Sequence, residues 1–162
     1  MGSHRKLQFI SASLLALLLF AAGVAIRGSQ ANECDPINTG ITSTFANGSG
    51  CPSPVGICTT GTIAGGPLKG TTSFTALALI PGPAPSTMAY TGTLTIATDQ
   101  GTLNISDVGV LDQANTVFSE IDRIQGGTGI FSGATGILFI SGKQTATGFE
   151  GKVTGNLCLQ SG

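Results

Sequence analysis

The stretch Thr116-Val117-Phe118-Ser119-Glu120-Ile121-Asp122-Arg123-Ile124-Gln125, then Gly126-Gly127-Thr128-Gly129, then Ile130-Phe131-Ser132-Gly133-Ala134-Thr135-Gly136-Ile137-Leu138-Phe139-Ile140-Ser141, decides the fold. Apolar and polar residues alternate on either side of a glycine cluster, the two-residue period of a strand rather than the 3.6-residue period of a helix. Glycine supplies the positive φ that a tight turn requires, so the segment reads as a hairpin of strands 116–125 and 129–141.

The same alternation extends outward in both directions. It gives strands at 57–65, 68–80, 87–98, 102–112 and 145–159, with 37–46 as a less regular eighth. Asp99-Gln100-Gly101 reads as a second tight turn. Pro81-Gly82-Pro83-Ala84-Pro85 must be a loop, because proline cannot donate to a ladder. Strands joined consecutively by short turns predict an all-β protein, an eight-stranded antiparallel up-and-down β-barrel, which closes the edges an open sheet would expose.

Composition agrees. Of 162 residues, 9% are charged, the net charge is −1 and 25 are Gly, which disfavours both long helices and a basic nucleic-acid surface. At the N-terminus, His4-Arg5-Lys6 precedes an apolar run from Leu7 to Ile26, and Ser29-Gln30-Ala31 offers small residues before a cut after Ala31. Residues 1–31 therefore read as a secretory signal peptide, against the alternative of a retained membrane anchor, and the mature protein is expected to be secreted, without a membrane segment. Residues 32–56 read as an N-terminal disulfide-tethered segment and 57–162 as the barrel domain.

The four cysteines, Cys34, Cys51, Cys58 and Cys158, all follow the expected cut, and an even number in an exported chain predicts two disulfides. If 57–65 and 145–159 are the strands that close the barrel, Cys58 pairs with Cys158 and Cys34 with Cys51. The alternative joins Cys51 to Cys58 across Pro52-Ser53-Pro54.

Cleavage also limits the chemistry. His4 is the one histidine, so the mature chain has no Ser-His or Cys-His nucleophile system, and no metal site or cofactor is expected. Gly127-Thr128-Gly129-Ile130-Phe131-Ser132 lacks the third glycine of a dinucleotide fingerprint and leads into a strand. Carboxylate acid/base work or binding remains.

The glycine turn, followed by Phe131, Ala134 and Gly136, resembles the corresponding turn of allene oxide cyclases and dirigent proteins. The run from Tyr90-Thr91-Gly92-Thr93 through Asp107-Val108-Gly109 to Gly155 looks like bacterial secreted members with that barrel. The resemblance covers about 100 residues. It implies an eight-stranded barrel around an apolar cavity, a trimer in the plant relatives, and cofactor-free chemistry such as cyclisation. None of the plant families' catalytic residues matches a specific position, so none is carried over.

The candidate site comes from the hairpin of 102–112 and 116–125. A turn at Gln113-Ala114-Asn115 sets Asp107 opposite Ile121, with Arg123 as its diagonal neighbour and ion-pair partner. Glu120 shares a face with Phe118, and across the glycine turn lies near Ala134. These positions make Glu120 and Asp107 the candidate catalytic acids and Tyr90, Phe118, Arg123 and Phe131 the candidate cavity-binding residues. Asp122 and Lys152 are expected to face solvent. The blander alternative gives Glu120 a surface role and pairs Asp107 with Arg123 structurally.

Two strands carry apolar residues on both faces: Ile137 and Phe139 oppose Leu138 and Ile140, and Leu77 and Leu79 oppose Phe74 and Ala76. A barrel buries one face of each strand, so a homo-oligomer is expected. Three functions fit: a secreted barrel binding a small hydrophobic molecule, a cofactor-free cyclase or isomerase, or a structural oligomer without ligand.

Overall fold

The computed structural model describes residues 33–160, and the signal expected over 1–31 lies outside them. Eight antiparallel strands follow one another around a closed barrel in chain order. They are β1 (Glu33–Phe45), β2 (Cys58–Ile63), β3 (Gly70–Pro81), β4 (Thr87–Thr98), β5 (Gly101–Asp112), β6 (Val117–Gly127), β7 (Thr135–Gln144) and β8 (Gly148–Leu159). The up-and-down barrel predicted from alternation is the observed fold.

The barrel begins earlier than expected. Residues 32–56 do not form a separate tethered segment: β1 is a full barrel strand that pairs with β8 from Glu33↔Leu159 to Thr44↔Gly148. β2 is short and meets β1 only over Ile41–Phe45. The Ala64 amide donates to the Gly40 carbonyl at 3.0 Å and the Gly65 amide to Thr39 Oγ1 at 3.1 Å, which carries the seam a little further.

This placement overturns the favoured cysteine pairing. Because β1, not β2, lies beside β8, Cys34 stands directly opposite Cys158 and forms a disulfide with it, leaving Cys51–Cys58 as the second bridge. Cys58 is one strand too far around the barrel to reach Cys158.

The segment expected as strand from 129 is also different. After Gly127 the chain leaves the ladder into a short 3-10 turn at Gly129–Phe131 and rejoins only at Thr135. Gly126 and Gly129 take φ of 98° and 60°, conformations closed to most side chains. Phe131 is therefore not a strand residue lining a cavity. It plugs one end of the barrel, fully buried, as does Leu68 in a second 3-10 turn at Gly66–Leu68. Ile37, Ile96, Leu103, Leu138 and Leu157 pack with them into a solid core at that end.

Outside the barrel, Val108, Ile121 and Phe139 stand in one cross-strand row on β5, β6 and β7, and each is at least half exposed at 55%, 54% and 50%. Among the described residues no helix is long and apolar enough to cross a membrane.

Candidate functional site

At the end opposite the Phe131 plug the barrel is open, with a cavity of about 260 Å³. Phe45, Phe74, Phe118 and Phe149 stand in its wall beside Ile41, Leu79 and Ile140, with Met88 and Leu111 toward the loops. Phe149 makes edge-to-face contacts with both Phe45 and Phe118 at 5.3 Å between ring centroids, the geometry in which one ring's positive edge meets another's negative face. The Cys51–Cys58 bridge ties down the 46–57 loop, whose Asn47 and Ile57 reach the cavity. Asn47 Oδ1 accepts the Cys58 amide at 2.9 Å, so bridge and hydrogen bond fasten the same corner.

The floor of the cavity is polar. Tyr90, Gly109 and Glu120 form one cross-strand row on β4, β5 and β6, all pointing inward. A Cβ at Gly109 would overlap the Tyr90 ring. With only hydrogen there, the ring lies across β5 and its hydroxyl donates to Glu120 Oε1 at 2.5 Å. One row deeper, Asp107 and Asp122 are direct cross-strand partners, 1% and 0% exposed. One oxygen from each of Asp107, Glu120 and Asp122 can be chosen so that all three lie within 4.8 Å of one another.

This register corrects three expectations. The β5–β6 turn spans four residues rather than three, so Asp112 pairs with Val117 and Asp107 faces Asp122 instead of Ile121. Asp122 is consequently interior rather than solvent-facing. Arg123, alternating with the inward Asp122 and Ile124, points out to solvent and can neither pair with Asp107 nor line the cavity. Glu120 lies opposite Ile140, not near Ala134, because residues 128–134 belong to no strand. Of the candidate residues, Tyr90, Phe118, Glu120 and Asp107 line the cavity; Arg123 and Phe131 do not.

Asp122 and Gly109 are the site residues that sequence reasoning misses. The signal for Asp122 is present, since it follows Phe118 and Glu120 at two-residue spacing on an inward face. Gly109 falls between Asp107 and Leu111 on the inward face of β5, where a missing side chain makes room for a neighbour.

Burial dominates the electrostatics. It pushes the Asp107 carboxyl up to about 9, helped by the charges of Glu120 and Asp122. Burial first and then Glu120 raise Asp122 to about 8. Glu120 reaches only about 7, because the Tyr90 hydrogen bond favours its ionised form and partly offsets burial. The Tyr90 hydroxyl is pushed far above its ordinary range by burial and by Glu120. No described hydrogen-bond donor reaches Asp107 Oδ1 or either oxygen of Asp122. Asp112, on the same strand, plays a different part. It accepts from the Ala114 amide at 3.0 Å and the Asn115 side chain at 2.6 Å, building the β5–β6 turn, and its carboxyl is held low by Asn115.

Compared with known proteins, the sequence matches no family model and no curated protein.

Proposed function

We propose that this barrel is secreted and binds a small, mainly apolar molecule at its open end, with a polar group of that molecule set against Tyr90, Asp107 and Glu120. The carrying observation is the cavity of about 260 Å³, lined mainly by apolar and aromatic side chains with Tyr90, Asp107 and Glu120 converging at its floor. Such a combination buries hydrocarbon for affinity and uses a few convergent polar groups for orientation. Two disulfides support an oxidising compartment, where such bridges persist. A closed eight-stranded barrel is also the fold that the resemblance to allene oxide cyclase and dirigent proteins implies.

Native mass spectrometry of the protein secreted by its own host tests the binding reading. A reproducible small-molecule adduct is expected, and it should disappear in Leu111→Trp, which fills the cavity from its rim. An adduct that survives that substitution would place the ligand elsewhere. If no adduct is seen and no apolar probe binds the purified protein, the reading fails.

A second reading, a cofactor-free isomerase or cyclase, is favoured by Glu120. Its carboxyl faces the cavity, is pushed up to about 7, and so exchanges a proton readily at neutral pH. It would donate a proton to the substrate and recover one in the same turnover. Under this reading Glu120→Gln reduces turnover of the bound molecule by far more than it weakens binding; unchanged turnover removes Glu120 as the acid.

A further inference from the structure

The floor of the cavity poses a problem of charge. Asp107 and Glu120, which line the cavity, and Asp122, buried opposite Asp107, bring three carboxyl groups together inside the barrel, and both oxygens of Asp122 and one of Asp107 receive no hydrogen bond from the described residues. Buried polar atoms left in this state are costly, and a cluster of like charges more so. Without a cation the cluster relieves its repulsion only by holding protons, as the raised Asp107 and Asp122 carboxyls do, since the barrel's cations Lys69, Arg123, Lys143 and Lys152 all lie exposed on the outside. The missing element is a cation that enters through the open end.

Geometry narrows the choice. Three oxygens mutually within 4.8 Å share a point no farther than about 2.8 Å from each, the length of a charge-assisted N–H···O bond. A primary ammonium carries three N–H donors and needs no other partner. A hard metal ion such as calcium takes about six to eight oxygens, many from water or carbonyls. Here Phe74, Phe118 and Leu94 in the cavity lining supply none, and the other lining oxygens belong to single side chains on separate elements, such as Thr59 on β2, Thr72 on β3 and Asn47 in the 46–57 loop. Phe74, Phe118 and Leu94 suit a hydrocarbon tail, and the rings add attraction for a positive charge.

We propose that the ligand is a small apolar primary amine, whose ammonium sits among Asp107, Glu120 and Asp122 and whose hydrocarbon part lies against the aromatic wall. This deepens the binding function above and rests on it. Tyr90 completes the arrangement: its hydroxyl already occupies Oε1 of Glu120 and holds that carboxyl in place, leaving the second oxygen to the ligand. Selectivity follows from charge. A neutral alcohol of the same shape satisfies at most part of the cluster, and a carboxylate is repelled by it.

Calorimetric titration of the disulfide-intact protein at neutral pH, with matched amines and alcohols from butyl to 4-phenylbutyl and with 3-phenylpropanoate, tests the proposal. The amines are expected to bind at least tenfold more tightly than the matched alcohols, and 3-phenylpropanoate not at all. Equal binding of amines and alcohols would overturn the ammonium site while leaving the apolar cavity as a binding site. No binding by any member would overturn both. Calcium chloride raising the melting temperature where the amines do not would overturn the proposal in favour of a metal ion. Asp122→Asn, which keeps the side chain's shape, should erase most of the amine preference. A measurement independent of any variant is proton release, obtained by repeating the amine titration in buffers of different ionisation enthalpy. Amine binding should release protons, because the ammonium holds the carboxylates ionised; binding without proton release overturns the proposal.

Discussion

The Tyr90 hydroxyl reaches Glu120 across an entire intervening strand, donating to its Oε1 at 2.5 Å over the bare backbone of Gly109. The bond exists because β5 carries no side chain at that one position. Tyr90 is the only tyrosine and the chain has no tryptophan, so tyrosine fluorescence reports this contact alone. Gly109→Ala drives a methyl into the ring and should lower stability by about 1–3 kcal/mol, as overpacking does in other cores. It should also raise the emission, as the hydroxyl separates from the quenching carboxylate. Urea unfolding followed by fluorescence reads both effects, and a variant with unchanged emission would show that the ring keeps its place without the gap.

Asp107 and Asp122, facing each other inside the barrel, make stability depend on pH in a direction opposite to that of most salt-bridged proteins. Folding raises Asp107 to about 9, Asp122 to about 8 and Glu120 to about 7. In the unfolded chain such groups titrate near about 4. The folded state thus holds these protons more tightly, so its advantage is complete below about pH 4 and is lost as pH rises through 7 to 9. The unliganded protein is expected to melt at a higher temperature at pH 5 than at pH 9, by a margin on the order of a few kcal/mol. Asp122→Asn should flatten that slope and stabilise the protein at pH 9. Melting curves across this range check both statements, and a melting temperature that climbs from pH 5 to pH 9 would contradict them.

Cys34 and Cys158 bridge the seam where the first strand meets the last, closing a loop with a sequence separation of 124 residues. Cys51 and Cys58 are only 7 apart. In the chain-entropy account the first bridge contributes about 5 kcal/mol and the second about 2. The double substitution of Cys34 and Cys158 by serine should therefore cost roughly twice as much stability as that of Cys51 and Cys58. Their effects on ligand should be reversed. Cys51–Cys58 fastens the loop that brings Asn47 and Ile57 to the cavity, so its removal should speed ligand release while leaving most of the stability intact. Denaturant unfolding and dissociation kinetics on the two variants separate these roles.

The barrel is legible in the chain because strand alternation is a local property, repeated from Ile57 to Leu159 and broken at visible turns. Its closure is less so. Glu33-Cys34-Asp35-Pro36 contains two acids and a proline, yet it forms the start of β1, paired on only one side to β8. The pairing, rather than strand propensity, holds it there. The acid cluster is half legible. Two-residue spacing puts Phe118, Glu120 and Asp122 on one face, but the partner of Asp107 depends on the length of the β5–β6 turn. That turn takes in Thr116 at φ 55°, a conformation that β-branched residues rarely adopt, and nothing in local preference announces it. One residue in the turn decides whether Asp107 meets Ile121 or Asp122, and with it the chemistry of the cavity floor.

The outer row of Val108, Ile121 and Phe139 is the exposed apolar face on which self-association of this chain can be tested. These residues lie side by side on β5, β6 and β7, with the exposed Val110 and Ile137 on the flanking positions of the same face. The cavity lies on the inner side of these strands, so the row adds nothing to it. A patch of this kind on a barrel wall is suited to a second copy of the same patch, because a two-fold contact sets like side chains against each other. Arg123 stands beside the row and points outward, where it would keep the rim of such a contact solvated. Light scattering on the disulfide-intact protein is expected to give a mass above that of one chain. Ile121→Asp, which introduces a charge at the centre of the row on the outer face of β6, should reduce the assembly to monomers while preserving ligand affinity. A protein that is monomeric before the substitution, or an assembly indifferent to it, would remove this face as the interface.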